Sequence, residues 1–233
     1  MMMIEGPVAD LRLVLALGML GLATYWDLKT REISDYLWIA FGAASAVLIL
    51  FTPNIGSALI GAGISLIVAP VVLLIWRFGL FGGADALGII VLAALAPEFT
   101  LVSGVITPFT IITNSAILST APIIINVARN LISLARGQKI FSGLEGEPKG
   151  KKIIALFLGY RAKNPKFSFS IEKSEGSSKK FDFSPKNPDD AEFCSTPDTW
   201  VTPGLPYMIY IMSGFVIQLV YGDIIFHFIR IQH

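Results

Sequence analysis

The chain is poor in charged residues and in the side chains that most often bind metals. Only 15% of its 233 residues are Asp, Glu, Lys or Arg, whereas a soluble domain has about 25%. It has one cysteine, Cys194, and two histidines, His227 and His233. A single cysteine excludes a disulfide within the chain, and this set excludes the usual cysteine-rich zinc sites. We therefore predict no bound metal and no other cofactor.

The charge balance also argues against a nucleic-acid partner. The formal net charge is +1, and no basic stripe runs along the sequence. In contrast, 54% of the residues are hydrophobic. This composition is typical of a multi-pass membrane protein, so the lipid bilayer is the first predicted partner.

Long apolar segments divide the chain, and a helix needs about 20 such residues to cross a bilayer. Six segments approach this length: 8–26, 36–53, 56–77, 85–97, 100–135 and 206–229. We predict an all-α polytopic membrane protein with about six transmembrane helices. Helices one to five lie within residues 1–136 and the last lies within 206–233. The fifth segment is too long for one span, and we expect Pro108 and Pro122 to kink or break it.

Residues 137–205 differ in composition, because they contain more than half of the chain's basic residues and more than half of its acidic residues. Apolar and polar residues alternate over 167–171 and 181–183, with Glu175-Gly176-Ser177-Ser178 between them. This pattern predicts two strands and a turn, and hence a small β-rich cytoplasmic domain. A mobile polar loop is the alternative.

Basic residues predict the orientation in the membrane, because cytoplasmic loops are enriched in Lys and Arg. Lys and Arg are present after the first, third and fifth segments but absent from the opposite loops, 52–56 and 97–100. Arg12 and Arg230 are exceptions at the two ends. We therefore expect a multi-pass cell-membrane protein with both termini outside and the loops 27–35, 77–85 and 137–205 in the cytoplasm.

Two aspartates, Asp27 and Asp85, lie at the edges of apolar segments on this same cytoplasmic side. An ionisable residue near hydrocarbon costs several kcal/mol, so it suggests a functional site. Each also has a structural interpretation: Asp85 can cap a helix, and Asp27 can be a solvated residue at the membrane edge. As a pair, they could share one proton and activate water, which is the chemistry of an aspartyl protease. Asn114 and Asn126, in the fifth segment, are expected to form interhelical hydrogen bonds.

Three short motifs resemble those of the GxGD intramembrane aspartyl proteases, in particular the archaeal preflagellin peptidases and the type IV prepilin peptidases. Gly82-Gly83-Ala84-Asp85 is similar to the Gly-x-Gly-Asp motif, with Ala84 in place of the second glycine. The stretch from Asp27 through Arg31 to Ile33 is similar to the Asp-x-x-x-Arg-x-Ile stretch of prepilin-type members. Pro203-Gly204-Leu205-Pro206 resembles the Pro-Ala-Leu-Pro motif of presenilins, with Gly204 in place of alanine.

This resemblance implies a membrane-embedded aspartyl endopeptidase with Asp27 and Asp85 as the catalytic pair. The substrate would be a membrane-inserted preflagellin or prepilin-like precursor, which loses its short basic leader at the cytoplasmic edge. The other motif residues are expected to support the active site: Gly82, Gly83, Ala84, Arg31, Pro203, Gly204, Leu205 and Pro206. Bifunctional prepilin peptidases usually carry a four-cysteine domain, so a single cysteine favours the branch that has peptidase activity only.

Two other classes of function remain open at this stage. In a proton- or cation-coupled transporter, the same aspartates would bind the coupling ion, although transport sites usually lie near the membrane midplane. In a non-catalytic membrane adaptor, the aspartates would only cap helices, and their replacement by asparagine would leave function intact. The sequence does not predict an oligomeric state.

Overall fold

The computed structural model of the protein describes residues 7–100, 107–175, 178–184 and 192–231. The helices in these ranges are α1 (Pro7–Lys29), α2 (Asp35–Leu50), α3 (Ile55–Ser65), α4 (Val68–Arg77), α5 (Gly83–Leu95), α6 (Pro97–Thr100), α7 (Thr110–Leu118), α8 (Ala121–Ala135), α9 (Lys149–Leu158), α10 (Tyr207–Val220) and α11 (Ile224–Ile231). The strands are β1 (Tyr160–Ala162), β2 (Ser168–Ser170), β3 (Glu172–Glu175), β4 (Ser178–Phe181) and β5 (Thr199–Pro203).

Apolar helices dominate the fold, as expected for a membrane protein. Within the described ranges, three helical stretches are long and apolar enough to cross a bilayer: Pro7–Lys29, Ile55–Arg77 and Thr110–Ala135. Three further apolar helices are shorter: Asp35–Leu50, Gly83–Leu95 and Tyr207–Val220. Each predicted apolar segment thus contains helix, but a count of six spans is not confirmed.

The last predicted segment, within 206–233, contains two helices, because α10 ends at Val220 and α11 begins at Ile224. Gly222 lies in the left-handed region, with φ of 84°, which a residue without Cβ adopts at little cost. The Asp223 carboxylate then accepts hydrogen bonds from two amides of the next turn, at 2.9 and 3.2 Å. A glycine followed by a capping aspartate ends one helix and starts the next.

The fifth predicted segment is divided as its prolines suggested. Helix α7 ends at Leu118, and α8 begins at Ala121 with Pro122 in its first turn. Proline is tolerated there because the first amides of a helix have no intrahelical partner. Pro108 precedes α7, and residues 101–106 of the segment lie outside the described residues.

The chain forms two compact units, and the first comprises Met1–Ser119 and Pro206–His233. Its core is apolar, with fully buried residues on α1, α5 and α10 such as Leu20, Leu92 and Phe215. Arg12 is buried in this unit, where its guanidinium donates to the Leu95 carbonyl at 2.7 Å. This internal hydrogen bond accounts for an arginine within an apolar helix.

The second unit, Thr120–Leu205, contains α8, α9 and all the described strands. Its three-stranded sheet has the order β1-β5-β2 and antiparallel pairing, and β3 pairs with β4 as a hairpin. Trp200 of β5 is fully buried, stacks on Phe141 and donates its indole N–H to the Ile140 carbonyl at 2.7 Å. Aromatic packing around Trp200 forms the centre of this unit.

The predicted strands and turn differ in detail from this hairpin. Its arms are β3 and β4, whereas residues 168–170 pair with β5 instead. The Ser170 hydroxyl donates to the Glu172 carbonyl and accepts from the Glu172 amide, and this local turn separates β2 from β3. The tip of the predicted turn, residues 176–177, lies outside the described residues. Sequence patterns also missed β5, whose first three residues are buried without any alternation.

Candidate active site

Asp27 lies in the last turn of α1 and is buried, with 8% of its surface exposed. Its Oδ2 atom accepts a hydrogen bond from the backbone amide of Met208, at 3.1 Å, in the first turn of α10. The first amides of a helix lack intrahelical acceptors, and the positive end of the helix dipole favours an anion. A carboxylate supplied by α1 therefore caps the start of α10.

Arg31 is held beside Asp27 by an unusual backbone turn. Helix α1 ends at Lys29, and Arg31 adopts a left-handed conformation with φ of 63°. Its amide donates to the Asp27 carbonyl at 3.3 Å, and its Nη1 atom lies 3.8 Å from Asp27 Oδ1. Glycine usually occupies such a position, because an L-residue with a side chain is strained there. The turn brings the guanidinium back to the aspartate.

Asp85 lies in the first turn of α5 and is partly exposed. Its Oδ2 atom accepts a hydrogen bond from the Gly82 amide at 3.1 Å. Gly82 is the N-cap, so Asp85 is not the N-cap that the sequence suggested, and its side chain instead bonds back to the N-cap amide from inside the helix. Capping fixes the direction of the carboxyl group at the start of α5 and does not prevent it from acting on a substrate.

Small residues before Asp85 permit close packing. A Cβ atom on Gly83 would lie 3.3 Å from the Trp76 ring, which is tight for any side chain. Ala84 is half-buried and packs against the apolar core, so the extra methyl group is accommodated where the resembling motif has glycine. Gly82 is extended, with φ of −75° and ψ of 161°, and precedes the helix as its N-cap.

The first turn of α10 contacts Asp27 and the segment that precedes Asp85. Met208 holds Asp27, and the adjacent Tyr207 stacks on Phe81 with ring centroids 5.5 Å apart. Phe81 lies four residues before Asp85 in the chain, so this stack packs α10 against the segment that leads into α5. Analysis of the sequence missed Tyr207 and Met208. Their one signal was the position directly after the Pro203–Pro206 motif, at the start of an apolar helix.

The structure divides the Pro203–Pro206 motif between the two units. Pro206 is the N-cap of α10 and belongs to the same unit as both aspartates. Pro203 ends β5, and Pro203, Gly204 and Leu205 belong to the second unit. The Gly204 amide donates to the Phe167 carbonyl at 2.9 Å, and a Cβ atom on Gly204 would lie 2.9 Å from the same oxygen. This close contact explains glycine where the resembling motif has alanine.

The arrangement offers two carboxyl groups, one buried and one partly exposed, in a unit made of apolar helices. Backbone amides hold one oxygen of each: the Met208 amide for Asp27 and the Gly82 amide for Asp85. Fixed carboxyl groups of this kind can carry out general acid–base chemistry on water and a peptide.

Comparisons with known proteins find similarity to leader peptidases. Residues 14–125 match the type IV leader peptidase family, and residues 151–224 match the archaeal peptidase A24 C-terminus, type II. A preflagellin peptidase of Methanocaldococcus jannaschii is 29% identical over 222 residues, which cover 89% of this chain and 92% of the relative. A preflagellin peptidase of Methanococcus maripaludis is 26% identical over 235 residues, covering 91% and 96%. These matches support an archaeal leader peptidase related to the prepilin peptidases, and with it a protease that removes leader peptides.

Proposed function

We propose that the protein is an aspartyl endopeptidase that removes the short basic leader from membrane-inserted preflagellin or prepilin-like precursors. Asp27 and Asp85 are its catalytic residues. The enzyme crosses the membrane several times with both termini outside, and it cuts the precursor at the cytoplasmic edge of the membrane. The preflagellin substrate is supported by the names of the two relatives, which align with this chain over nearly its whole length.

The interactions of the first turn of α10 carry the assignment of the two residues. Met208 bonds to Asp27, and Tyr207 stacks on Phe81, four residues before Asp85. One rigid turn thus supports residues that are far apart in sequence. The family match over residues 14–125 covers both aspartates, which adds to the same assignment.

The proposed chemistry needs two carboxyl groups in different protonation states. The ionised carboxylate removes a proton from water, and the protonated carboxyl donates a hydrogen bond to the scissile carbonyl. As this proton leaves, the water oxygen adds to the carbonyl carbon. The carboxyl group that took the proton passes it to the amide nitrogen, the C–N bond breaks, and the mature chain leaves with the new amine. Two carboxyl groups that share one proton avoid the repulsion of two adjacent negative charges.

Two motif residues interact directly with this pair. Arg31 neutralises part of the charge on Asp27, and Gly82 orients Asp85 through its amide. Gly83 and Ala84 support the site by packing the start of α5 against Trp76 and the apolar core. The substrate is extended at the scissile bond, because a helical substrate hides its carbonyl groups in hydrogen bonds. Pro203, Gly204, Leu205 and Pro206 form the connection into α10 and are proposed as an edge along which the substrate lies.

Cleavage of a membrane-embedded preflagellin by the purified protein in lipid nanodiscs tests this proposal. Asp27→Asn and Asp85→Asn should each lower the rate by about 10²–10⁴-fold, the usual range for a lost general acid or base. Asp35→Asn is the matched control, because Asp35 is exposed at the start of α2. Cleavage that survives either active-site substitution in a folded protein would contradict the assignment.

A further inference from the structure

Helix α9 exposes an apolar stripe in a part of the chain that the sequence predicts to be cytoplasmic. Ile153, Ile154, Phe157 and Leu158 are between 41% and 55% exposed. Because they are spaced one and four residues apart, they share one face of the helix. A contiguous apolar patch of this kind marks a surface that binds a protein or a membrane.

Two buried asparagines of α8 bond to the apolar end of α9. Asn126 donates to the Phe157 carbonyl at 3.3 Å. Asn130 donates to the carbonyls of Leu156 and Gly159, at 3.0 and 2.7 Å. These interhelical hydrogen bonds confirm the role predicted for Asn126. The last carbonyls of a helix have no intrahelical partner, and at a surface helix water usually satisfies them. Hydrocarbon offers no such partner, so a helix end at membrane depth needs protein donors.

The other end of α9 is basic. Lys149, Lys151 and Lys152 lie in its first turn, where cations interact unfavourably with the helix dipole. Lys151 and Lys152 have partners in the fold, Glu147 at 3.2 Å and the Glu145 carbonyl at 2.8 Å. Lys149 is exposed and begins the face that continues four and eight residues later with Ile153 and Phe157.

The distribution of charge along this face matches the depth profile of a bilayer. With a rise of 1.5 Å per residue, Lys149 and Phe157 are separated by about 12 Å along the axis. An interfacial helix buries its apolar part about 5–10 Å into the headgroup and acyl boundary. Helix α8, to which α9 is bonded, belongs to an apolar stretch long enough to span a membrane. It also exposes large apolar residues of its own, such as Ile124 and Leu131.

We propose that α9 is a membrane-docking helix, which inserts its C-terminal apolar end into the lipid bilayer and places Lys149 against anionic headgroups. A bilayer requires charge at one end of the helix and apolar residues at the other, whereas a surface that binds a protein partner does not. The proposal concerns a different unit from the one that contains Asp27 and Asp85, and it holds whether or not those residues are catalytic.

Site-directed spin labelling of the full chain in nanodiscs tests the docking. In a Cys194→Ser background, which removes the one native cysteine, a nitroxide is attached to Phe157→Cys or to the matched Lys149→Cys. Oxygen concentrates in hydrocarbon, whereas a water-soluble nickel chelate does not enter it. We expect the label at 157 to collide readily with oxygen and about tenfold less often with nickel than the label at 149.

Each other result overturns the proposal. Frequent collisions with nickel at 157 would place this end of α9 in water. Rare collisions with both reagents would place it against protein. Ile153→Cys provides a second, independent reading if Phe157→Cys fails to fold.

The role of the headgroups is tested by lipid composition. Replacing phosphatidylglycerol by phosphatidylcholine should raise the nickel collision rate at 157. Lys149→Gln should weaken that dependence on lipid charge. A collision rate that does not change with lipid charge would refute the headgroup contact.

Discussion

The left-handed conformation of Arg31 allows its charge and its backbone strain to be separated by mutation. Arg31→Ala removes the guanidinium that lies 3.8 Å from Asp27 Oδ1 and leaves a side chain at φ of 63°. Arg31→Gly removes the same guanidinium and also relieves the strain. Since both variants lose the ion pair, they should lose cleavage activity to the same extent.

The stabilities of these two variants should differ. A left-handed conformation costs an L-residue about 1–2 kcal/mol, which glycine does not incur. Glycine gives back about 0.4–1 kcal/mol because its unfolded chain is more flexible. The glycine variant should therefore be more stable than the alanine variant by about 1 kcal/mol. For a chain of this size, that difference raises the melting temperature by about 2–4 °C.

Thermal unfolding in one detergent, together with precursor cleavage, measures both effects. Arg31→Lys is the control, because it keeps a positive charge and the strained backbone. Equal melting temperatures for the alanine and glycine variants would show that the turn is not strained. Activity that returns in the glycine variant would show that the guanidinium does not support Asp27.

Three further predictions concern other contacts. Tyr207→Leu removes the stack on Phe81 and should lower the melting temperature, whereas Tyr207→Phe keeps the ring and should not. Equal melting temperatures for these two variants would contradict the stacking role. Gly204→Ala should destabilise the fold by about 1–3 kcal/mol, measured by thermal unfolding, because its Cβ would lie 2.9 Å from a carbonyl oxygen. Arg161 donates hydrogen bonds to both oxygens of Asp198 and lowers the pKa of that carboxyl group. The stabilisation of the folded state by this pair is therefore complete above the ordinary aspartate pKa, and it is lost as the pH falls through the lowered value. Asp198→Asn should flatten this acid-side loss in unfolding experiments from pH 7 to pH 2, and an unchanged pH profile would contradict it.

Apolar patterning predicted much of the helical architecture, because long hydrophobic runs directly reflect burial or contact with lipid. It failed where one local residue decides the outcome. The break before α11 depends on the left-handed Gly222 and on the capping Asp223. Strand β5 has no alternation, since its first three residues are buried in succession. Period-two patterns cannot detect such a strand.

The candidate site was predictable in its charged residues but not in the contacts that hold them. Asp27, Asp85 and Arg31 attract attention because charge at an apolar edge is costly. Met208 contributes only its backbone amide, and an amide leaves no trace in a sequence. Tyr207 is one of three aromatic residues in the apolar helix α10, and its stack on Phe81 distinguishes it.

The central claim, that Asp27 and Asp85 act as one catalytic unit, is tested most directly by a double-mutant cycle. Cleavage rates are measured for Asp27→Asn, Asp85→Asn and the double variant in the same nanodiscs. Residues that act as a unit are strongly non-additive, so each single substitution should cost about as much as both together. If the free-energy losses of the two single variants simply add in the double variant, the two aspartates act independently and the proposed pair is wrong.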